Sequence, residues 1–220
     1  MRTPYLIYVV TDEKVSGGRS HLEIATAAVA GSADVVQLRA KDSDAKALLE
    51  TARRIREVTR AKATLFIVND RLDVAILSGA DGVHLGQDDI PVAEARRMVP
   101  PGFIIGVSTG TVEEALNAER DGADYLGLGP VFPTTSKDDA GPVCGLELLR
   151  EVKSAVRIPV VAIGGITLDN AASVMESGAD GLAVISAVLV PEDMGSACLE
   201  LRQRVSDPLT EVRSTRTSVR

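Results

Sequence analysis

The stretch Gly79-Ala80-Asp81-Gly82-Val83-His84-Leu85-Gly86 decides the architecture, because its opening triplet returns. Gly122-Ala123-Asp124 leads into Tyr125-Leu126-Gly127-Leu128, Gly178-Ala179-Asp180 into Gly181-Leu182-Ala183-Val184, and a looser copy, Gly31-Ser32-Ala33-Asp34, into Val35-Val36-Gln37-Leu38. Each copy ends a helical pattern on a glycine and turns at once into a short apolar run, so a helix-to-strand joint recurs along the chain. Working outward, apolar runs fall at Tyr5 to Val10, Asp34 to Leu38, Leu65 to Val68, Gly82 to Leu85, Phe103 to Val107, Tyr125 to Leu128, Pro159 to Ile163 and Gly181 to Ile185. Between them lie segments such as Asp44 to Thr59 and Val112 to Arg120, with apolar residues spaced for helices on a parallel sheet. Glycine caps and aspartates are common in any doubly wound α/β sheet; the count of eight runs favours a single α/β domain, a (β/α)8 TIM barrel over residues 1–205. The joints then precede strands two, four, six and eight. Their aspartates belong to the stability end of the barrel.

The chain has 220 residues, 45% of them apolar, enough for one full core. A net charge of -7 and the lack of a basic run in the body argue against nucleic acid or a membrane as partner. Cys144 and Cys198 lie far apart without metal-ligand spacing, which suits a reducing cytoplasm. The apolar stretch near the N-terminus is too short for a signal peptide. Ser206 to Arg220, rich in Ser, Thr and Arg, is expected to be a disordered tail. The sequence leaves a homo-oligomer open.

A barrel builds its active site where the strands end, so the residues closing each run carry the functional expectation. Alternation after Val36 puts Gln37, Arg39 and Lys41 on one side of strand two, rising from the interior to the mouth; inside a closed barrel such groups imply an anion above them. Asn69-Asp70 closes strand three and Gly86-Gln87-Asp88-Asp89 follows strand four. Asp70 and Asp89 are the expected pair for Mg²⁺ against a diphosphate, with Asp88 an alternative to Asp89 and loop capping the commoner role of such acids. Ser108 offers a hydroxyl either to a phosphate or to the helix beginning at Thr111, and capping is the simpler role for one serine. Gly127 and Gly129 are expected to leave room for a ring inside the barrel. The polar loop from Pro133 to Pro142, with Lys137, is expected to act as a flap. Ile163-Gly164-Gly165 and Ile185-Ser186 occupy the places where such barrels grip phosphate. His84 is expected to be a hydrogen-bonded core histidine and His21 to lie on the surface. Neither cysteine has a neighbour that would activate it.

These residues, in this order, resemble the thiamine-phosphate synthase family, over Tyr5 to about Leu201. The resemblance rests on Gln37-Leu-Arg-Ala-Lys41, Asn69-Asp70, Gly82-Val-His-Leu-Gly-Gln-Asp-Asp89, Gly106-Val-Ser108, Gly127-Leu-Gly-Pro-Val-Phe-Pro-Thr134-Thr-Ser-Lys137, Ile163-Gly-Gly165 and Ile185-Ser186. It implies a transferase that joins hydroxymethylpyrimidine diphosphate to hydroxyethylthiazole phosphate and releases diphosphate. By the same resemblance Gln37 contacts the pyrimidine, and Arg39, Lys41, Asn69, Ser108 and Lys137 address its diphosphate, with Arg39, Lys41 and Lys137 stabilising the leaving group. Asp70 and Asp89 hold Mg²⁺. Thr134, Ser136, Gly165, Ile185 and Ser186 bind the thiazole phosphate. A stabilised pyrimidine cation captured by the thiazole nitrogen needs no base, which agrees with a mouth rich in anion-binding groups and poor in nucleophiles. Ala40 stands where this family often has glutamate, and Ser136 where threonine is usual. A thiazole tautomerase relative lacks the need for the diphosphate and metal set. A phosphate-ligand sensor would have little use for two acids and three cations. A phosphosugar isomerase would need an acid–base pair, of which Asp12 supplies only half.

Overall fold

A computed structural model describes residues 4–136 and 141–206. Lys137 and the tail from 207 to 220 lie outside the described residues. Eight parallel strands close into one barrel in chain order. They are β1 (Ile7–Val10), β2 (Val35–Leu38), β3 (Leu65–Asn69), β4 (Gly82–Leu85), β5 (Ile104–Thr109), β6 (Tyr125–Leu128), β7 (Val160–Ile163) and β8 (Gly181–Val184). The helices are α1 (His21–Ala30), α2 (Ala45–Arg60), α3 (Leu72–Ser78), α4 (Val92–Met98), α5 (Val112–Arg120), α6 (Gly145–Ala155), α7 (Ala171–Glu176), α8 (Ser186–Leu189) and α9 (Met194–Ser206). The strand runs read from the sequence match these within two residues at either end, and α5 has the bounds expected for it. The expected α2 begins one residue late because Asp44 serves as its N-cap, accepting from Ala47 N.

Strands such as β1, β2 and β4 are buried on both faces, as expected where a sheet has helices outside and packed side chains within. Ile7, Val9, Val36 and Leu38 are buried apolar residues, and by alternation they face the helices. The neighbours that alternate with them, Tyr8 and Gln37, face inward and bring polar atoms to the barrel axis.

The Gly-Ala-Asp joints act as clamps on the preceding strand. Asp34 N donates to Ile7 O and Asp34 Oδ2 accepts from Ile7 N, both at 2.9 Å. Asp81 makes the same reciprocal pair with Phe66, Asp124 with Ile105 and Asp180 with Val160, at 2.7–2.8 Å. A helix then supplies a cation to each carboxylate: Arg202 from α9 to Asp34, Arg56 from α2 to Asp81, Arg96 from α4 to Asp124 and Lys153 from α6 to Asp180. One aspartate therefore ties together two strands and a helix at every second joint. Arg56 is bidentate on Asp81, at 2.8 and 2.9 Å.

One expectation is overturned away from the mouth. His21 begins α1 but is buried, with Nδ1 2.8 Å from Thr11 Oγ1 just beyond β1. Burial lowers its pKa against the pull of Glu13 and Asp12. Its position at a helix start suggested solvent; the inward turn of that first helical residue onto the loop after β1 removes it. No helix among the described residues is long and apolar enough to cross a membrane.

Candidate active site

The loops that follow the strands surround a cavity of about 430 Å³ at the C-terminal mouth. Arg39 and Lys41 line it from beyond β2, Asn69 from the last position of β3 and Asp70 from just beyond it, Asp89 from beyond β4 and Ser108 from β5. Thr134 and Ser136 line it from the loop after β6, Gly165 from that after β7, and Ile185 with Ser186 from the β8–α8 junction. Gln37 sits lower, beside a second cavity of about 20 Å³ that it shares with Tyr8, His84, Ser108 and Tyr125. The climb of Gln37, Arg39 and Lys41 from interior to mouth is the alternation expected of β2. Ala40 is absent from the lining and packs against the core instead.

The end of β1 sets the place of Arg39. Arg39 N donates to Thr11 Oγ1 at 3.2 Å, and its guanidinium donates to Asp12 Oδ2 at 3.2 Å with both side chains largely buried. Asp12 Oδ1 meanwhile accepts from Lys14 N and Val15 N, so the carboxylate is fixed before it meets the arginine. Asp12 is thus a support for the cationic wall, a role the sequence could not separate from that of an acid–base group.

Asp70 occupies the left-handed region at φ 61°, and its N–H donates to His84 O at 2.8 Å. This carries the β3–β4 pairing one residue past β3 and turns the chain at the rim. Asp89 Oδ2 accepts from Gly86 N at 2.6 Å, so this acid does cap its loop as well as face the cavity. Burial, then the adjacent Asp89 charge and hydrogen bond, pushes the Asp70 carboxyl up to about 6, while Lys41 and Arg39 act in the opposite direction. Two acids held together against their repulsion form an oxygen donor set that suits a hard divalent cation. Mg²⁺ commonly takes one or two carboxylates and completes its shell with water and substrate phosphates. Among the described residues no group of three or more His, Cys, Asp or Glu is arranged to hold a metal, so the pair would need such additional oxygens.

Ser108 does not cap α5. Thr111 does so with its own side chain, accepting from Glu114 N at 3.1 Å, while Glu114 Oε2 accepts from Gly110 N at 2.7 Å. Glu114 lines the cavity and was missed; the Thr-x-x-Glu spacing of a capping box was the available signal. Ser108 Oγ instead lies 2.9 Å from His84 Nε2, and His84 Nδ1 lies 2.9 Å from Tyr125 Oη. His84 is the hydrogen-bonded histidine expected, although it also reaches the cavity wall.

Gly127 in β6 and Gly129 just beyond it have a different reason from the one expected. A Cβ on Gly127 would lie 2.9 Å from His84 Cε1, and one on Gly129 would lie 2.1 Å from Ile163 O. Their space is taken by a ring of this protein and by the neighbouring strand. Across the mouth, Gly164 and Gly165 have φ 98° and 63°, and a Cβ on either would press within 2.7 Å of Pro130, Phe132 or Pro133. Val131 N and Phe132 N donate to Ile163 O and Gly164 O, which fastens the loop after β6 to the end of β7. Asn170 holds the glycine turn from the other side, with Nδ2 donating to Gly165 O and Oδ1 accepting from Thr167 N.

The cysteines stand apart from this chemistry. Burial pushes the Cys198 thiol up to about 12 and raises that of Cys144.

The family model for thiamine monophosphate synthase matches residues 7–188. A thiamine-phosphate synthase from Methanocella arvoryzae is 62% identical over 202 residues, covering 92% of this chain and 95% of that protein. One from Moorella thermoacetica is 52% identical, covering 91% and 95%. The solved thiamine phosphate pyrophosphorylase from Pyrococcus furiosus superposes with a TM-score of 0.87 at 45% identity, covering 94% of this chain and 98% of that one.

Proposed function

The chain belongs to the thiamine monophosphate synthase family and carries its transferase activity; from that premise we propose how its mouth performs the coupling. The substrates are hydroxymethylpyrimidine diphosphate and hydroxyethylthiazole phosphate, small molecules that call for neither nucleic acid nor membrane. The observation that carries the reading is the acid pair Asp70 and Asp89 beside the cations Arg39 and Lys41 on the wall of one cavity.

Mg²⁺ held by Asp70 and Asp89 would supply positive charge to the departing diphosphate. Arg39 and Lys41 bind the same diphosphate, Asn69 and Ser108 donate hydrogen bonds to it, and Lys137 is the third cation assigned to it. Gln37 addresses the pyrimidine from the deeper cavity. Thr134, Ser136, Gly165, Ile185 and Ser186 hold the thiazole phosphate, which aligns the second ring over the first. The methylene C–O bond breaks with its electron pair passing to the diphosphate oxygen. The thiazole nitrogen lone pair then forms the C–N bond. That nitrogen bears no proton, so no base is required, and the work of the protein is charge stabilisation, alignment and exclusion of water. Two free cysteines suit a reducing cytoplasm.

The test mixes the full chain with both substrates, with Mg²⁺ or with chelator, and quantifies thiamine phosphate and diphosphate. Equal amounts of both products are expected, and only with metal; undiminished synthesis after exhaustive metal removal would sink the Mg²⁺ assignment. If departure precedes capture, ¹⁸O in the bridging position of the pyrimidine diphosphate scrambles into the non-bridging positions. Retention of the label through partial turnover argues for direct displacement instead.

A further inference from the structure

Beneath the mouth runs a chain of polar side chains from five strands. Gln37 Nε2 donates to Tyr8 Oη at 2.8 Å, and Tyr8 Oη lies 2.7 Å from Tyr125 Oη. Tyr125 Oη lies 2.9 Å from His84 Nδ1, and His84 Nε2 lies 2.9 Å from Ser108 Oγ. Tyr8, Gln37, Tyr125 and His84 are all buried, where a mismatched donor or acceptor is costly. The backbone makes room for the two rings at its centre. A Cβ on Gly106 would lie 2.0 Å from Tyr125 Cζ, and one on Gly127 would meet the His84 ring.

Such a chain has a direction. Each hydroxyl has one proton to give, and a neutral imidazole has one N–H and one lone pair. With the Gln37 N–H given to Tyr8, the Tyr8 proton passes to Tyr125 Oη and the Tyr125 proton to His84 Nδ1. The histidine N–H is then on Nε2 and is given to Ser108 Oγ. The Ser108 proton is left to donate into the cavity. In the opposite direction Ser108 would spend its proton on His84, and Tyr8 would face an amide nitrogen that cannot accept. A phosphate oxygen only accepts, so only the first direction presents it with a donor.

We propose that Tyr8, Tyr125 and His84 are positioning residues which, with the Gln37 amide setting the direction, hold His84 as the Nε2–H tautomer and aim the Ser108 hydroxyl as a donor at the diphosphate. This rests on the reading of Ser108 as a diphosphate contact.

The primary measurement is the ¹⁵N imidazole spectrum of the full chain without ligands, at a pH well above the ordinary histidine range. The chain has only two histidines, so either single-histidine variant assigns the signals. The proton of His84 is expected on Nε2, and finding it on Nδ1 overturns the proposal. Gln37→Glu replaces the terminal donor by an acceptor and is expected to move the proton to Nδ1; an unmoved proton removes Gln37 as the source of direction and overturns the proposal as stated.

The second measurement is binding of inorganic diphosphate with Mg²⁺, and of thiazole phosphate alone. Ser108→Ala and Tyr125→Phe are each expected to weaken diphosphate roughly tenfold, the value of one hydrogen bond to a charged acceptor, and to leave thiazole phosphate unchanged. Loss in Ser108→Ala but none in Tyr125→Phe overturns the positioning role alone. Loss in neither overturns the reading of Ser108, and the proposal with it. Should Tyr125→Phe fail to fold, His84→Gln keeps an Nε2 donor and is expected to retain more diphosphate affinity than His84→Leu; equal losses refute the proposal.

Discussion

Aspartate is used in opposite ways at the two ends of this barrel. At the N-terminal end, Asp34, Asp81, Asp124 and Asp180 each accept a backbone N–H of the preceding strand and an ion pair from a helix. At the mouth, Asp70 and Asp89 face one another, and burial with that mutual repulsion lifts the Asp70 carboxyl to about 6. The first set has its charge answered from within the chain and stabilises the fold. The second is answered only in part, by Lys41 and Arg39, and leaves the rest to something that arrives, at a cost to the protein on its own.

The sharpest way to break this contrast is to neutralise the mouth. Asp70→Asn and Asp89→Asn are each expected to reduce turnover by roughly 10²–10³-fold, the scale of a lost transition-state charge contact, while thiazole phosphate binding persists. Neither is expected to melt lower than the parent chain. Near-normal turnover in one variant would remove that residue from the leaving-group site, and a lower melting temperature would contradict the assignment of its charge to function.

At the other end the expected effects reverse. Asp81→Ala removes the acceptor for Phe66 N and strands Arg56, which is only about a quarter exposed. A loss of about 2 kcal/mol in denaturant unfolding is expected, with kcat and KM unchanged. A stable variant with impaired turnover would show that the clamp reaches the mouth and that the two ends are not independent.

The pH dependence separates the ends again. Asp70 has its folded-state value raised from 3.8 to about 6, so the metal-free folded chain binds more protons than the unfolded chain across that window. Its contribution to stability is present below the lower value and is lost as pH rises through the upper one. The melting advantage of Asp70→Asn over the parent, measured with chelator, is therefore expected to be absent near pH 4 and to reach its plateau above about pH 6. An advantage that shrinks with rising pH would refute the electrostatic cause.

The sequence carried the strand ladder and the mouth because both are local. Eight apolar runs fix the strands, and the strand-end rule then points to Arg39, Asp70, Asp89 and Ser108 without knowledge of their contacts. The polar chain beneath them was not legible in that way. Tyr8 and Tyr125 are 117 residues apart and His84 and Tyr125 are 41 apart, and alternation says which side chains point inward but not which of them meet. The same gap misread Gly127, whose missing Cβ makes way for a histidine from two strands away, and His21, whose burial depends on Thr11 across a loop.

The one clamp closed by a lysine gives the finest test of what a clamp is made of. Asp180 alone takes a lysine, Lys153, through one hydrogen bond, and both side chains are nearly a third exposed. Exposed single-point pairs are commonly worth less than about 1 kcal/mol, whereas Val160 N donates to the same Asp180 Oδ2 and keeps that acceptor when the lysine is removed. Lys153→Ala is therefore expected to cost no more than about 1 kcal/mol in denaturant unfolding, at most half of the Asp81→Ala loss, and to leave turnover alone. A cost as large as that of Asp81→Ala would mean that the cation, rather than the backbone pair it accompanies, holds each joint closed.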